Sequence, residues 1–272
     1  MLEYLKAVIF GIVEGITEWL PVSSTGHLIL LEEFLHLNVT AEFYELFQVV
    51  IQLGAILAVL VLFFQKLWPF SLKKSQLQRN RTWNLWFKVI VAVLPSAVLG
   101  LLFDDFLDQH LYNYVVVALM LILYGVGFLL VERRAKAATI SDVHAIDYRT
   151  ALLIGAFQCL SLIPGTSRSG ATILGALLLG VSRSAGAEFS FFLAIPTMLG
   201  ASALKLAKFL LEGNLPTANE LVILGIGCVS AFLVSILVIR GLMDFVRRHS
   251  FAPFGIYRIA LGAAVLGWFI LR

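Results

Sequence analysis

Six long apolar segments run through the chain and decide what it can fold into. Each is close in length to the ~20 residues that an α-helix needs to cross the hydrocarbon core of a membrane. They occupy residues 43–64, 85–103, 115–131, 187–211, 221–240 and 254–271. A segment inside a membrane must satisfy its own backbone hydrogen bonds, which a helix does. The sequence therefore predicts an all-α polytopic integral membrane protein.

The composition supports this class of protein. Of the 272 residues, 60% are hydrophobic and 14% are charged, whereas soluble domains are about half apolar and about a quarter charged. The formal net charge of +3 is small and argues against nucleic acid as a partner. Cys159 and Cys228 lie inside apolar segments, so they predict neither a disulfide framework nor a metal site.

The stretch from residue 11 to residue 30 differs from a simple span. Glu14 and Glu18 lie four residues apart in an apolar helix, so they share one helical face. Pro21 ends that helix, because the residue before a proline is disfavoured in the α conformation. The small and hydroxyl residues that follow, and the histidine after them, are Ser23, Ser24, Thr25, Gly26 and His27. Ionisable groups are costly within a membrane, so this cluster indicates a functional site, although such acids can also cap or cross-link helices.

A second break of the same kind follows the first three spans. Residues 150–163 are apolar, Pro164 ends them, and GTSRSG at residues 165–170 is again rich in small and hydroxyl residues. An apolar helix then resumes, and an offset of 144 residues aligns Glu14 with Gln158. Each half of the chain has one broken segment and three spans, which predicts an internal repeat.

Each repeat is predicted to be a re-entrant helix hairpin followed by three transmembrane helices. Repeat one comprises residues 1–132, repeat two comprises residues 149–272, and a connector at residues 133–148 joins them. In the first hairpin, residues 2–20 form the entering helix and residues 28–35 form the returning helix. Irregular backbone at membrane depth needs protein or a water-filled cavity around it, so both breaks are expected to be covered.

The distribution of positive charge gives the orientation. Three connectors are rich in lysine and arginine, and they comprise residues 65–88, 132–149 and 240–250. The intervening loops at residues 104–113 and 212–217 contain neither residue type, so the positive-inside rule places the basic connectors on the cytoplasmic face. Lys205 and Lys208, near an outer end, depart from this pattern. Three spans per repeat is an odd number, so the repeats are inverted and their breaks can meet near the midplane.

Arg168 lies in the second break, between Ser167 and Ser169, where the next helix begins. Helix N-termini present free amide donors and the positive end of the helix dipole, which suit a phosphate group. The planar arginine fork matches phosphate oxygens in the same way. A structural salt bridge from Arg168 to Glu14 or Glu18 is the alternative interpretation, and the two are compatible in the empty protein.

The groups of the two breaks together predict a reaction. Paired carboxylates such as Glu14 and Glu18 repel each other and invite a shared proton or a divalent cation. A cation held by one or two carboxylates and by substrate phosphates is the usual arrangement of Mg²⁺. With a histidine available as acid, base or nucleophile, the set fits metal-assisted hydrolysis of a phosphate ester or anhydride. A lipid-soluble substrate would explain why such a site lies within a membrane.

Four stretches of the chain resemble one known family. The signature motifs of the bacterial undecaprenyl-pyrophosphate phosphatase family, which is linked to bacitracin resistance, are similar to GIVEGITEWLPVSSTGH and LIPGTSRSGAT. The flanking helices of the family resemble FQVVIQLGAILAV and EFSFFLAIPTMLGA. The resemblance therefore covers essentially the whole chain.

The resemblance implies removal of one phosphate from undecaprenyl pyrophosphate, a polyprenyl pyrophosphate lipid, on the outer face of the cytoplasmic (inner) membrane. That reaction would recycle the lipid carrier for peptidoglycan and other wall polymers. The catalytic positions of the family fall on Glu14, Glu18, Ser24, His27 and Arg168. Either Ser24 or His27 is expected to be the nucleophile, and Arg168 is expected to hold the phosphates.

The remaining expectations concern the cation and the helper residues. Glu14 and Glu18 are expected to hold a divalent cation, Mg²⁺ or Ca²⁺. The residues expected to assist substrate binding are Thr25, Ser167, Ser169 and Thr172, each of which can also serve as a helix cap. Arg183 and Glu188 are expected to form a structural ion pair.

A transporter is the competing function. Inverted repeats with broken helices are a transporter design, and such a protein could flip a lipid phosphate or move an ion-coupled anion. The two acids would then be proton or cation sites. The sequence leaves the oligomeric state open, a homodimer included.

Overall fold

The computed structural model of the protein describes residues 1–111, 113–134 and 137–271, apart from the side chains of residues 104–106, 108 and 109. Within this part of the chain the secondary structure is α-helical, with two short 3₁₀ turns and an isolated bridge between Ile140 and Val181. The α-helices are α1 (Leu2–Thr17), α2 (Ser24–Phe34), α3 (Ala41–Leu62), α4 (Phe64–Leu67), α5 (Gln76–Leu111), α6 (Tyr114–Arg133), α7 (Tyr148–Cys159), α8 (Arg168–Leu178), α9 (Arg183–Leu211), α10 (Ala218–Val246) and α11 (Ala252–Leu271).

Six of these helices are long and apolar enough to cross a membrane, as the sequence predicts. They are α3, the Gln76–Phe103 part of α5, α6, α9, α10 and α11. Their ends differ from the predicted ones, because α5 begins nine residues before residue 85 and continues through most of the loop expected at residues 104–113. Apolar patterning marks only the part of a helix that lies in lipid, whereas good helix formers such as glutamine, leucine and arginine extend it beyond.

The remaining long elements form two helix–break–helix pairs that are too short to span. In the first pair, α1 has 16 residues and α2 has 11. The Lys6 side chain donates to the carbonyl of His36, and the Glu3 carboxylate accepts from the Asn38 amide at 2.8 Å. The pair thus returns to the side where it begins, as a re-entrant hairpin does.

The second pair, α7 and α8, closes in the same way. Just before α7, the Thr139 amide donates to the carbonyl of Gly180 at 2.9 Å, and Gly180 follows α8. The neighbouring residues Ile140 and Val181 form the isolated bridge. Each helix pair therefore begins and ends at its own side of the bundle.

The two breaks share an unusual backbone conformation. Helix α1 ends at Thr17 rather than at residue 20, and α2 begins at Ser24 rather than at residue 28. Ser23 has φ of 74°, and its hydroxyl caps α2 by accepting from the Gly26 amide at 3.3 Å. At the second break Ser167 has φ of 72° and caps α8 from the Gly170 amide at 3.1 Å.

Ser23 and Ser167 are the only non-glycine residues with positive φ in the part of the chain that the structure describes. Positive φ is uncommon for a residue with a Cβ, and strained backbone of this kind clusters at functional sites. The serine caps also explain the early helix starts, because each supplies the acceptor that a first helical turn lacks.

Both breaks are covered by protein, as expected for irregular backbone at membrane depth. Residues 169–176 of α8 are all buried, so this helix is enclosed on every side. Trp19, in the first break, is fully buried and lies edge-on to Phe191 of α9, with ring centroids 5.2 Å apart. Helix α9 thus packs against the first break through Phe191.

The predicted basic connectors meet at one end of the molecule. Lys66 forms an ion pair with Glu188, and the Lys88 ammonium donates to the carbonyl of His144 at 3.0 Å. Arg183 pairs with Glu132, so the prediction that Arg183 and Glu188 pair is wrong. The two ion pairs join the first turns of α9 to other helices, to α4 through Lys66 and to α6 through Glu132.

Lys205 lies at the opposite end, where the positive-inside rule does not expect it. Its ammonium pairs with Glu45 of α3 at 2.6 Å. This ion pair offsets the charge of Lys205, although the positive-inside rule counts lysines and arginines rather than net charge.

Candidate active site

The two breaks lie against each other in the interior of the helix bundle. The Ser169 hydroxyl, in the first turn of α8, lies 3.1 Å from the carbonyl oxygen of Glu18 and 3.2 Å from that of Leu20. Ser169 is fully buried. The residues at positions 18–20 and 167–169 therefore form one site, although about 150 residues separate them in the chain.

Glu18 is the centre of this site. Its Oε1 accepts from Arg168 Nη2 at 2.9 Å, and its Oε2 accepts from the Ser24 hydroxyl at 2.8 Å. Glu18 and Ser24 are buried, and the Arg168 side chain is nearly so. The structure thus brings together a carboxylate, a hydroxyl and a guanidinium that the sequence singled out separately.

Arg168 is held by a second set of contacts on α9. Its Nη1 donates to the Ser190 carbonyl at 2.6 Å and to the Ser190 hydroxyl at 3.1 Å. The guanidinium also lies 5.6 Å from the ring centroid of Trp19, a cation–π contact. Its Nε is buried and has no hydrogen-bond partner among the described residues. The predicted salt bridge therefore exists, and one donor of the guanidinium is still available.

Glu14 lies one helical turn before Glu18 and is fully buried. Neither of its carboxylate oxygens has a hydrogen-bond partner among the described residues. A buried carboxylate without partners is costly, so Glu14 fits a role that a cation or a proton completes. The described ranges contain no group of three or more His, Cys, Asp or Glu side chains that could hold a metal ion by themselves.

His27 is turned away from this cluster. Its Nδ1 lies 2.7 Å from the carbonyl oxygen of Ser23, and its Nε2 lies 2.7 Å from the hydroxyl of Tyr257. The two rings are parallel, with centroids 5.6 Å apart. Both imidazole nitrogens are occupied, so this arrangement does not present His27 to Glu18 or to Arg168.

The four predicted helper residues have different environments. Ser167 caps α8, and the Ser169 hydroxyl donates hydrogen bonds to carbonyl oxygens of the first break. Thr172 lies beside Arg168. Its hydroxyl donates to the Arg168 carbonyl at 2.9 Å and lies 2.7 Å from the hydroxyl of Ser190, which also binds Arg168. Thr25 is half-buried and has no side-chain hydrogen bond within the described ranges.

Sequence reasoning missed two residues of the site. Ser190 orients Arg168, and Arg258 of α11 lies fully buried behind both breaks. Arg258 donates to the carbonyl of Pro21 at 3.1 Å and to those of Gly165 and Thr166 at 2.8 Å each. The sequence did contain a signal for Arg258, because an arginine inside an apolar span indicates a functional or structural site.

Fold and site together define a multi-pass membrane protein with a buried, charged site between two broken helix pairs. A protein-family model, bacitracin resistance protein BacA, matches residues 7–264. The chain belongs to this family, which confirms the resemblance carried by the two signature motifs.

Several curated relatives are similar over nearly their whole length. An undecaprenyl-diphosphatase of Enterococcus faecalis is 60% identical over 97% of this chain and 96% of its own. Undecaprenyl-diphosphatase 1 of Clostridioides difficile is 57% identical over 100% of this chain and 98% of its own. An undecaprenyl-diphosphatase of Streptococcus mutans is 55% identical, with 99% and 97% covered.

Proposed function

We propose that this protein hydrolyses undecaprenyl pyrophosphate to undecaprenyl phosphate and inorganic phosphate, and so recycles the lipid carrier for cell-wall synthesis. The observation that carries the proposal is the hydrogen-bonded set of Ser24, Glu18 and Arg168 where the two breaks meet. A nucleophile, a proton acceptor and an anion-binding fork are the groups that phosphoryl transfer to a side chain requires. The names of the relatives agree with this reaction.

Ser24 is the nucleophile in this proposal. As its Oγ attacks the terminal phosphorus, Glu18 Oε2, 2.8 Å away, accepts the hydroxyl proton. The Oγ–P bond forms, the bond from phosphorus to the bridging oxygen breaks, and undecaprenyl phosphate leaves. Water then attacks the phosphoserine, the Oγ–P bond breaks, and the proton on Glu18 returns to Oγ as inorganic phosphate departs.

Arg168 binds the pyrophosphate in this proposal. Its Nε has no hydrogen-bond partner among the described residues, and Arg168 is itself the first residue of α8, so the guanidinium and the free amides at the start of that helix could donate to phosphate oxygens together. Contacts to Ser190 and Trp19 fix the guanidinium plane before substrate binds. Such preorganised donors act on charge that develops in the transition state.

Glu14 and Glu18 would hold a divalent cation, Mg²⁺ or Ca²⁺. The two unpartnered oxygens of Glu14 support this part of the proposal, because they have ligand capacity that nothing in the described protein uses. When bound, the cation would neutralise phosphate charge and polarise the scissile bond.

The protein lies in the bacterial cytoplasmic membrane in this proposal, with inverted repeats at residues 1–132 and 149–272. Packing between the repeats supports the inverted arrangement, because the first helix of each repeat packs against the second spanning helix of the other. A Cβ on Gly11 of α1 would collide with the Gly227 carbonyl of α10, and a Cβ on Gly155 of α7 would collide with the Ala92 carbonyl of α5. The first hairpin would open to the outer side, opposite the basic connectors, and give substrate access from there.

Phosphate release by purified protein in detergent tests the function. With a polyprenyl pyrophosphate and Mg²⁺, we expect stoichiometric release of inorganic phosphate, which stops when the cation is chelated. Hydrolysis needs no second compartment, whereas transport does. A folded protein that binds the lipid yet releases no phosphate in detergent would favour the transporter instead.

A further inference from the structure

Arg258 is a buried arginine without an acidic partner in the described part of the chain. It is fully buried, and all of its hydrogen bonds within the described residues go to carbonyl oxygens. The ring of Tyr124 lies 5.5 Å from the guanidinium and completes the environment. A buried charge that is not neutralised is costly, and here the hydrogen bonds to carbonyl oxygens are what compensates for it.

The carbonyls that Arg258 contacts belong to both breaks. Nη1 donates to Pro21 in the first break, and Nη2 donates to the consecutive residues Gly165 and Thr166 in the second. Irregular backbone has no helical partner for these oxygens, and they would be buried unsatisfied without the arginine. One guanidinium therefore fastens two strained segments to each other and to α11.

The same side chain lies directly beside the start of α8. A Cβ on Gly170 would come within 3.0 Å of Arg258 Nη1, so the guanidinium fills the space next to the first helical turn. Arg168 is the first residue of that turn, and Ser167 caps it. A displacement of Arg258 would thus move Arg168 relative to Glu18.

We propose that Arg258 is a positioning residue of the phosphatase site. It sets the distance between the Ser24–Glu18 pair of the first break and Arg168 of the second, without touching the substrate. The inference rests on the proposed function, because the distance matters through the reaction. A misplacement of about 1 Å can cost about 10²-fold in rate, so the effect should be large.

The test compares Arg258→Lys and Arg258→Gln with wild type in detergent. Lysine keeps the charge but lacks the fork that reaches both breaks, and glutamine lacks the charge as well. We expect kcat for phosphate release to fall about 10²-fold in both variants, with a much smaller change in KM. Arg183→Lys is the matched control, since Arg183 pairs with Glu132 away from the breaks and should keep wild-type kcat.

A second measurement is independent of activity. Trp19 lies between the breaks and contacts Arg168, so its fluorine NMR signal in fluorotryptophan-labelled protein reports their arrangement. The signal is assigned with Trp19→Phe. We expect both Arg258 variants to shift or broaden the Trp19 signal, while the four other tryptophans and Arg183→Lys stay as in wild type.

A milder variant covers the case in which the Arg258 substitutions do not fold. Gly170→Ala keeps the arginine, but its methyl group would press on Arg258 Nη1 and on the Ser167 side chain, so we expect a smaller loss of kcat and a smaller shift of the Trp19 signal. Wild-type kcat or an unchanged Trp19 signal in folded Arg258 variants, or in Gly170→Ala, would overturn the inference. Wild-type protein without phosphate release would overturn the proposed function instead, and the Trp19 signal would still test the positioning role.

Discussion

At the scale of single residues, Glu18 links the two halves of the site. One carboxylate oxygen faces Ser24 and the other faces Arg168, so the same side chain can accept a proton and hold the anion-binding fork in place. Glu14, one turn earlier, has no such partners. The two acids are therefore expected to respond differently to substitution.

Glu14→Gln should lower the activity of the protein without lowering its thermal stability. The substitution removes a buried charge that has no hydrogen-bond partner in the described protein, so we expect the thermal unfolding temperature without cation to stay constant or rise. Phosphate release should be nearly lost, because the proposed cation ligand is missing. Thermal unfolding and phosphate release, each measured across a Mg²⁺ titration, check both parts. Full activity with unchanged cation dependence would contradict the role of Glu14.

The identity of the nucleophile can be read from the trapped intermediate. We expect acid quenching during turnover to trap phosphate on Ser24, because Ser24 faces Glu18 whereas His27 faces Ser23 and Tyr257. A phosphoserine survives acid and a phosphohistidine does not. Mass spectrometry of the quenched protein locates the group. A phosphate that survives an alkaline quench but not the acid quench, and that disappears in His27→Gln, would assign the nucleophile to His27.

Arg168→Lys tests whether geometry or charge matters at this position. Lysine can still pair with Glu18 but lacks the planar fork that matches phosphate oxygens. Loss of a preorganised donor typically costs about 10²–10³-fold in kcat. We therefore expect that loss with thermal stability kept, and a greater loss in Arg168→Ala. A lysine variant with at least half the wild-type kcat would leave Arg168 as a structural residue.

At the scale of helices, small residues allow the backbones to approach closely. On α11, Gly262 packs against α6, where a Cβ would come within 2.8 Å of the Ala118 carbonyl oxygen. Close backbone contact through glycine is a common way for membrane helices to pack. The contact between α6 and α11 also places Arg258, which belongs to α11, behind the two breaks.

Gly262→Ala should destabilise this pair of helices. The added methyl group meets the Ala118 carbonyl oxygen as well as the Ile122 side chain, and the backbone oxygen cannot move aside easily, so overpacking should cost about 1–3 kcal/mol. Gly267→Ala is the control on the same helix, because nothing lies within 4 Å of its Cβ position. Unfolding in mild denaturing detergent, followed by circular dichroism, compares the two. Equal stability of both variants would contradict close packing of α6 and α11 at residue 262.

At the scale of the whole molecule, charge is distributed between two ends. The basic connectors share one end through contacts such as Lys66 with Glu188, and Lys205 at the other end is offset by Glu45. Both hairpins begin and finish at their own side of the bundle. The orientation in the membrane then decides from which side substrate reaches the breaks.

Cysteine labelling in intact cells tests this orientation. Cys159 and Cys228 are first replaced by alanine. Glu212→Cys, in a connector without lysine or arginine, should react with an impermeant thiol reagent, and Ser75→Cys, in a basic connector, should not. Both positions are exposed, so access to the reagent depends on the side of the membrane. The reverse pattern would place the first hairpin on the cytoplasmic side.

Local patterns in the chain were sufficient for the membrane class, the six spans and the positions of both breaks. Apolar length, proline and small hydroxyl residues act over a few neighbouring residues, so these features are readable without a fold. Helix ends were less well predicted, because polar turns of α5 continue beyond the lipid-facing part. The serine caps at the breaks likewise depend on backbone geometry that composition does not show.

Contacts between distant parts of the chain depended on packing instead. The sequence marked Arg168 and two glutamates, but the packing of α8 against the first break selected Glu18 rather than Glu14 as the partner of Arg168. Packing also turned His27 toward Tyr257 and brought Arg258 from α11 to both breaks. Side chains more than a hundred residues apart meet only when helices dock, and no local pattern records which faces do so.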